Sequence, residues 1–348
     1  MVSIKIVKMK KLLSIIVLLF SAAALKAQPE VTRAELLTRV DYMQEYVDGD
    51  HIGENSGFKG RYIMFRLDGS LAEGLTYSFR QRINKPTTIQ SLFDATDFLN
   101  LTYTKGPWSV SAGKQIVATG GYEYDRAPFD LYFCSEYWYN LACFQFGVSG
   151  AYTFGEGNDM LTFQITESPF RRGALNPAND DIYAYNLMWN GSHDWFKTIY
   201  SINIMEYAPG KFINYLALGN RFEAGDFAFE LDLINKATNA SNLLFDDFCV
   251  IGDLCWRASD ALNVFVKVSY DRNNSVAEDL CVGAGTDILR AGAGIEYFPL
   301  KTNKNLRLHL NCCYTDGTSS AANSLRPYQT ILDAGLTWKL NFLDIRRK

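Results

Sequence analysis

Charged side chains recur at alternate positions of strand-length segments, and their type and spacing suit the binding of small solutes. Side chains alternate faces along a β-strand, so this spacing collects charges on one wall and apolar residues on the other. A wall that carries both signs can replace the hydration of ions and polar molecules. Twelve charged residues are predicted to line the wall that faces water: Arg66, Arg80, Arg82, Arg221, Arg257, Lys267, Arg290, Arg307, Lys339, Glu230, Asp232 and Glu296.

Residue types needed for bond-making chemistry are scarce. The sequence holds three histidines, His51, His193 and His309, and none lies in a recognisable catalytic motif. Gly147-Val148-Ser149-Gly150 lacks the residue that separates the serine from the second glycine in the nucleophile elbow Gly-x-Ser-x-Gly. The sequence contains no zincin, P-loop or EF-hand pattern. We therefore expect no enzyme activity, no cofactor and no metal site, and we interpret His309 as a polar residue of the wall.

The cysteines do not predict a disulfide framework or a zinc site. Their number is odd and no C-x-x-C pair occurs. We interpret them as small apolar residues within strands. The seven positions are 134, 143, 249, 255, 281, 312 and 313.

Sixteen segments show the alternation of a β-strand. Each is near the 9–11 residues that a tilted strand needs to cross a bilayer, and single-chain bacterial barrels have an even number of strands. The first segment also fits an amphipathic helix, through Leu36, Val40, Met43 and Val47. The segments are 35–47, 57–69, 73–84, 94–104, 107–116, 143–154, 158–168, 180–190, 195–206, 212–223, 225–236, 247–257, 260–270, 287–298, 304–315 and 328–342.

The connections alternate between short turns and long loops, as in a membrane barrel with short periplasmic turns. The short turns are predicted at 69–72, 105–106, 155–157, 191–194, 224–225, 259–260 and 301–303. The long loops are 85–93, 117–142, 169–179, 237–246, 271–286 and 316–327. Ala208-Pro209-Gly210-Lys211 is a short join where a long loop is due.

The N-terminus favours a membrane barrel over a soluble sandwich. Residues 1–27 have the charged, apolar and small-residue regions of a secretory signal peptide, with cleavage expected after Ala27. Residues 28–348 are then one domain without a long apolar run, and such a chain can span a membrane only as a closed barrel. Removing five lysines leaves 29 basic and 38 acidic residues, a net charge of −9 that argues against nucleic acid as a partner.

Aromatic residues support the same interpretation. They make up 14% of the chain, and Trp108, Trp189, Trp195 and Trp256 lie beside predicted short turns, as does Tyr103. Aromatic girdles mark the membrane–water boundary of outer-membrane barrels. We therefore predict an all-β fold, a transmembrane antiparallel up-and-down barrel of about 16 strands in the bacterial outer membrane.

Two local segments resemble the phosphate-selective porin O and P family. Phe58–Tyr62 with Leu67–Leu71 is similar to the early hairpin of that family, and Trp108–Gln115 is similar to its fifth strand. The family usually continues with a Pro-Phe-Gly-type segment, where this chain has Ala118-Thr119-Gly120-Gly121-Tyr122-Glu123. The resemblance implies a homotrimeric porin in the outer-membrane lipid, and the aromatic-rich last strand resembles the signal read by the barrel-insertion machinery.

The resemblance also implies that the third external loop, residues 117–142, folds inward. Its charged residues are then expected at the constriction: Glu123, Asp125, Arg126, Asp130 and Glu136. Both signs meet on the wall, which favours passive diffusion of small hydrophilic solutes or ions over a phosphate trap, although anions such as phosphate remain open. A structural or adhesive barrel with a sealed lumen is the alternative. A plugged transporter is disfavoured because residues 28–34 leave no room for a plug.

Overall fold

Sixteen antiparallel strands form one continuous sheet in the computed structural model, which describes residues 30–85, 92–172, 176–237, 246–274, 285–300, 303–318 and 328–345. They are β1 (Glu30–Val47), β2 (Gly57–Ala72), β3 (Leu75–Arg82), β4 (Thr96–Lys105), β5 (Trp108–Ile116), β6 (Phe144–Phe154), β7 (Asp159–Glu167), β8 (Tyr183–His193), β9 (Phe196–Ala208), β10 (Lys211–Ala224), β11 (Phe227–Ala237), β12 (Asp247–Ser259), β13 (Leu262–Asn273), β14 (Thr286–Tyr297), β15 (Leu306–Thr318) and β16 (Gln329–Asp344). Residues Asp50–His51 add a short bridge beside β1.

The sheet closes into a barrel because its first and last strands pair. β1 runs beside β16 from Arg33↔Asp344 to Val47↔Gln329, and every other strand pairs with its neighbours in the chain. Closure removes the edges that lipid would not tolerate. The predicted barrel is confirmed, and the predicted segment ends differ from the observed ends by at most five residues.

The first segment is a strand and not a helix. It pairs along one edge with β16 and along the other with β2, so its backbone groups are satisfied across the sheet. Its inward residues alternate with outward ones: Glu35, Arg39, Asp41 and Glu45 are buried, whereas Tyr42 is 44% exposed. The amphipathic helix offered as an alternative is therefore wrong.

On the outer face of the barrel, apolar side chains are exposed. In a soluble sandwich these residues would be buried, whereas in a membrane barrel they face lipid. Trp108, Trp195 and Trp256 lie beside short turns and are 61%, 63% and 43% exposed, as expected for an aromatic girdle. Other exposed outward residues are Ile202, Leu254, Val266, Leu310 and Leu332.

Short turns lie at one end of the barrel, the turn end, and the longer connections at the other, the loop end. Two of the predicted turns lie elsewhere in the structure. Residues 69–72 belong to β2, and the chain turns at Glu73–Gly74. In place of the turn predicted at 191–194, β8 continues to His193 and the chain turns at Asp194–Trp195. Gly74 and Asp194 have positive φ angles of +71° and +44°, which places the turns there. The short join at the loop end is confirmed as Pro209–Gly210.

Residues 117–142, the central segment, connect β5 to β6. They contain α1 (Tyr122–Asp125), a 3₁₀ turn (Pro128–Asp130) and α2 (Glu136–Asn140). Among the described residues, no helix is long and apolar enough to cross a membrane. The predicted signal peptide, Cys281 and most of loops 85–93, 237–246, 271–286 and 316–327 lie outside the described residues.

Candidate functional site

An apolar cluster holds the central segment against the inner wall. Val117, Tyr124, Tyr137 and Leu141 of the segment are each at most 2% exposed. Alternation predicts polar residues on this wall, and that prediction is wrong here because the segment covers the wall and excludes water. The inward residues of β8 to β12 that pack under the segment are Ala184, Met205, Ile213, Tyr215, Ala217, Ile234, Cys249 and Ile251.

Glycines let the segment approach the wall more closely than a side chain would allow. A Cβ on Gly120 would lie 2.7 Å from the carbonyl oxygen of Ile199 and 2.9 Å from that of Ala217. Gly121 has a φ of +103°, and a Cβ on Gly219 would lie 2.8 Å from the Cα of Gly121. The Gly-Gly pair that departs from the family pattern is therefore needed for this contact.

Asp232 of β11 fixes the start of α1. Its carboxylate accepts the N–H groups of Tyr122 at 2.8 Å and Glu123 at 2.9 Å, where the helix dipole favours a negative charge. Glu123 lies 2.5 Å from the ammonium group of Lys267 on β13 and accepts the N–H of Ser135 at 2.9 Å. The first turn of the segment is therefore held by β11 and β13 together.

Arg126 bridges two carboxylates of the wall. Its Nη1 lies 2.5 Å from Asp253 Oδ2 and its Nη2 lies 2.6 Å from Glu230 Oε2. The second oxygen of Glu230 accepts Nη1 of Arg221 at 2.6 Å. This chain of charge-assisted bonds joins the segment to β10, β11 and β12.

Two further acids of the segment reach cations on later strands. Asp130 lies 2.8 Å from Nη1 of Arg307, which also lies 3.1 Å from Glu296. Glu136 lies 3.1 Å from Arg290 of β14. Burial raises the pKa of Glu136, and the Arg290 charge opposes this rise. The segment thus contacts side chains from β10 to β15.

Asp125 differs from the other four charged residues of the segment. Its side chain is exposed and makes no hydrogen bond or ion pair within the described part of the chain. Desolvation by the surrounding protein still raises the pKa of its carboxyl. The predicted excess of four acids over Arg126 is consequently offset by wall cations at Glu123, Asp130 and Glu136, and remains uncompensated at Asp125.

A charge cluster on β1, β15 and β16 faces the segment from the opposite side. His309 Nε2 lies 3.4 Å from carboxylate oxygens of both Asp41 and Asp333. Arg39 binds Asp41 at 2.7 Å and donates to the carbonyl oxygen of Leu131 in the segment at 2.7 Å. One ligand atom from each of the three residues lies within 4.8 Å of the others, close enough for a metal. Because Arg39 and Arg61 already pair with both carboxylates, the geometry favours an arginine–carboxylate cluster over a metal site.

The remaining predicted wall residues lie away from these contacts. Arg66 binds Asp68 at 2.7 Å, whereas Arg80 and Arg82 lie 3.0 and 3.8 Å from Asp97. These three arginines line the part of the barrel formed by β2 and β3.

Two predicted wall residues sit near the turn end. Arg257 is bound to Asp226 of a turn at 2.8 Å and its side chain is 55% exposed. The ammonium group of Lys339 lies 4.0 Å from Glu35, and its backbone N–H donates to the carbonyl oxygen of Asn305 in the connection before β15.

The sequence reasoning missed the charged residues of β1. Glu35, Arg39, Asp41 and Glu45 occupy alternate positions, which is the signal that would have assigned them to the wall. Arg61 was also missed, because a register shift opposite Arg39 and Val40 disturbs the alternation in β2.

Cavities remain between the central segment and the wall. One, of about 640 Å³, lies at the loop end beside Arg82 and Asp97. A second, of about 490 Å³, is lined by Arg61 and Gln329, and a third, of about 240 Å³, is lined by Arg126 and Arg307. The segment and its ion pairs therefore leave part of the barrel interior unfilled.

The closed barrel, its aromatic girdle and its charged interior define the class of this protein by fold: it is a β-barrel with the architecture of the porins of the bacterial outer membrane. The family model of phosphate-selective porin O and P matches residues 34–194, which confirms the resemblance seen in the early hairpin and the fifth strand. No curated protein matches the chain in sequence.

Solved porin structures share the fold at low sequence identity. The outer membrane channel DcaP of Acinetobacter baumannii is 12% identical with a TM-score of 0.61, covering 91% of this chain and 100% of that one. An anion-selective porin from Comamonas acidovorans is 10% identical with a TM-score of 0.60, covering 90% and 100%. OmpT of Vibrio cholerae in a trimer form is 11% identical with a TM-score of 0.60, covering 90% and 100%.

Proposed function

We propose that the protein is a passive channel through which small hydrophilic solutes and ions diffuse across the outer membrane. The observation that carries this proposal is the set of cavities of about 640, 490 and 240 Å³ left around the central segment, each lined by charged side chains. An adhesive or structural barrel with a sealed lumen needs no charged, water-accessible interior. Fold and family indicate a channel and not an enzyme, and we propose that the chain catalyses no reaction.

The central segment acts as the constriction in this proposal. It contacts the wall on β11 to β15 through ion pairs and on β1 through Arg39, so it narrows the lumen without filling it. Glu123, Asp125, Arg126, Asp130 and Glu136 set the local charge, and the predicted wall residues set the field around them.

Weak ion selectivity follows from the pairing of charges. Most wall cations lie within 4.0 Å of a carboxylate, so the two signs partly cancel where an ion would pass. The Comamonas acidovorans porin is described as anion-selective, and transport of anions such as phosphate by this chain would need a net positive field along the path. We propose a mixed-charge channel with a local positive excess at the loop end.

The proposal extends to processing and assembly. Residues 1–27 are removed as a signal peptide, residues 28–348 form the barrel, and insertion uses the barrel-insertion machinery of the outer membrane. The trimer form of the Vibrio cholerae neighbour supports a homotrimer.

Conductance in planar lipid bilayers tests the channel proposal. The refolded protein should give stepwise current increases in potassium chloride, with a ratio of cation to anion permeability near one. Current that stays at the level of the bare membrane would show a sealed lumen. A heat-denatured sample at the same concentration is the control for leakage caused by detergent.

A further inference from the structure

The cavity of about 640 Å³ at the loop end carries an excess of positive charge. Five basic and three acidic side chains line it, on the ends of β3 to β7 and on the loops beside them. These residues are Arg82, Lys85, Lys114, Arg171, Arg172, Asp94, Asp97 and Glu167.

Every carboxylate of the cavity already contacts an arginine. The pairs are Asp97 with Arg80, Glu167 with Arg171, and Asp94 with Arg172. The two lysines contact main-chain oxygens instead: Lys85 donates to the carbonyl of Asp94, and Lys114 donates to the carbonyl of Phe93 at 2.5 Å. Neither lysine makes an ion pair with a carboxylate in the described part of the chain.

An ammonium group without a counter-ion is costly to bury. Only 8% of Lys114 is exposed. Burial lowers the pKa of Lys85, and the charge of Arg82 lowers it further. Most other cations of the barrel interior have a carboxylate partner, so uncompensated positive charge concentrates at this cavity. A bound anion would supply the missing partner.

Aromatic rings give the same cavity an apolar side. Phe93 and Tyr139 line it and are 52% and 49% exposed. Phe144 and Phe146 line it as well, and the indole N–H of Trp138 is buried without a hydrogen-bond partner in the described residues. Exposed rings stabilise a ligand that presents a flat apolar face.

Size separates this cavity from a site for a small inorganic anion. Pockets of roughly 300–1,000 Å³ hold ligands of drug-like size. A phosphate ion would occupy a small part of about 640 Å³ and would leave the rings in contact with water. An anion joined to an aromatic ring would place its charge at the lysines and its ring against Phe93 and Tyr139.

We propose that this cavity is a binding site for aromatic carboxylates entering the channel from the loop end. The proposal rests on the channel function and adds a substrate class to it. Lys85 and Lys114 bind the carboxylate, and the rings of Phe93 and Tyr139 contact the aromatic part.

Block of the channel current by benzoate tests the site. Current through the full-length mature protein is measured in potassium chloride with benzoate, acetate or inorganic phosphate on the loop side. Benzoate should halve the current at about one tenth of the acetate concentration, because ring contacts add roughly a tenfold gain in affinity. Block by phosphate at a lower concentration than benzoate, or equal block by benzoate and acetate, would overturn the proposal.

Variants assign the block to the named residues. Lys85→Gln combined with Lys114→Gln should raise the half-blocking benzoate concentration about tenfold. Phe93→Leu should weaken block by benzoate and leave block by acetate unchanged. Lys211→Gln is the matched control, because Lys211 is exposed at the loop end of β10 and does not line the cavity. Unchanged benzoate block in the double lysine variant would refute the assignment.

The same recordings separate this inference from the channel function. Current steps without benzoate support the channel, whatever the blocker does. A channel that conducts normally and treats benzoate like acetate refutes the aromatic site alone.

Discussion

Leu254 and Cys255 are neighbours in β12 that face opposite sides of the barrel wall. Leu254 is 41% exposed on the outer face and lies near the middle of β12, opposite Val266 and Phe229 on the adjacent strands. Cys255 faces the interior, where it lines the cavity of about 240 Å³. Placing the same charged residue at each position therefore tests which face meets lipid.

Leu254→Arg should destabilise the folded barrel by about 2–4 kcal/mol, the cost of an arginine at the bilayer midplane. That corresponds to roughly a 30- to 900-fold change in the folding equilibrium, at about 1.4 kcal/mol for each factor of ten. Cys255→Arg should cost less than about 1 kcal/mol, because water reaches this side and Asp253 and Glu296 line the same cavity.

Urea unfolding of each variant from phospholipid vesicles, followed by tryptophan fluorescence, measures both effects. The midpoint should fall strongly for Leu254→Arg and little for Cys255→Arg, with Leu254→Ala as the control for lost apolar contact. Equal destabilisation by the two arginines would refute the assignment of the outer face to lipid.

Three further predictions concern charge and assembly. Arg126→Gln should shift the reversal potential toward cations and cost about 3 kcal/mol of stability, because Asp253 is 6% exposed and pairs with Arg126. Arg126→Lys should keep most of the selectivity and most of the stability of the unaltered protein. An unchanged reversal potential in Arg126→Gln would contradict this prediction. Desolvation raises the pKa of Asp125, so its carboxylate should take up a proton at a higher pH than an ordinary aspartate does. Lowering the pH through that range should therefore shift selectivity toward anions, and Asp125→Asn should abolish this pH-dependent shift. The mature protein should begin at Gln28 by mass spectrometry and change gel mobility on boiling; an N-terminus that retains residues 5–20, or mobility indifferent to heat, would be inconsistent with this.

Alternation predicts the barrel well because lipid constrains one face of every strand. A slip of one residue would turn an entire set of apolar side chains into the lumen, so register is strongly specified. Leu308 and Leu336 pair across β15 and β16 on the outer face, and Arg307 pairs with Thr337 on the inner face, as the pattern predicts. Turn positions were less accurate, because Gly69 and Ser70 read as a turn although their backbone groups pair with β1 and β3.

The central segment was not predictable in the same way. Its conformation depends on contacts between residues far apart in the chain, such as Arg126 with Asp253 and Asp130 with Arg307. The sequence predicts a long connection between the fifth and sixth strands, and the segment lies there. The ion-pair partners of its charged residues could not be predicted, because no local pattern links residues separated by more than one hundred positions.

Inner-wall chemistry also departed from the simple pattern. Ile213, Tyr215 and Ala217 face inward although they are apolar, because the segment covers them. A long loop that carries its own apolar residues, here Val117 and Tyr124, is the signal that part of the wall would be covered.

The central claim is that water and ions pass through the barrel beside the central segment. Single-channel current through Asp125→Cys in a background of Cys143→Ser, Cys255→Ser and Cys313→Ser tests it, before and after modification with sulfonatoethyl methanethiosulfonate. The three serine substitutions remove the native thiols that line the cavities, and the protein with these three substitutions alone is the control. Because Asp125 is exposed on the segment, the attached group should lower the single-channel conductance of the Asp125→Cys protein and leave the control unchanged. An unmodified Asp125→Cys protein that conducts, and keeps its full conductance after complete modification, would contradict the account.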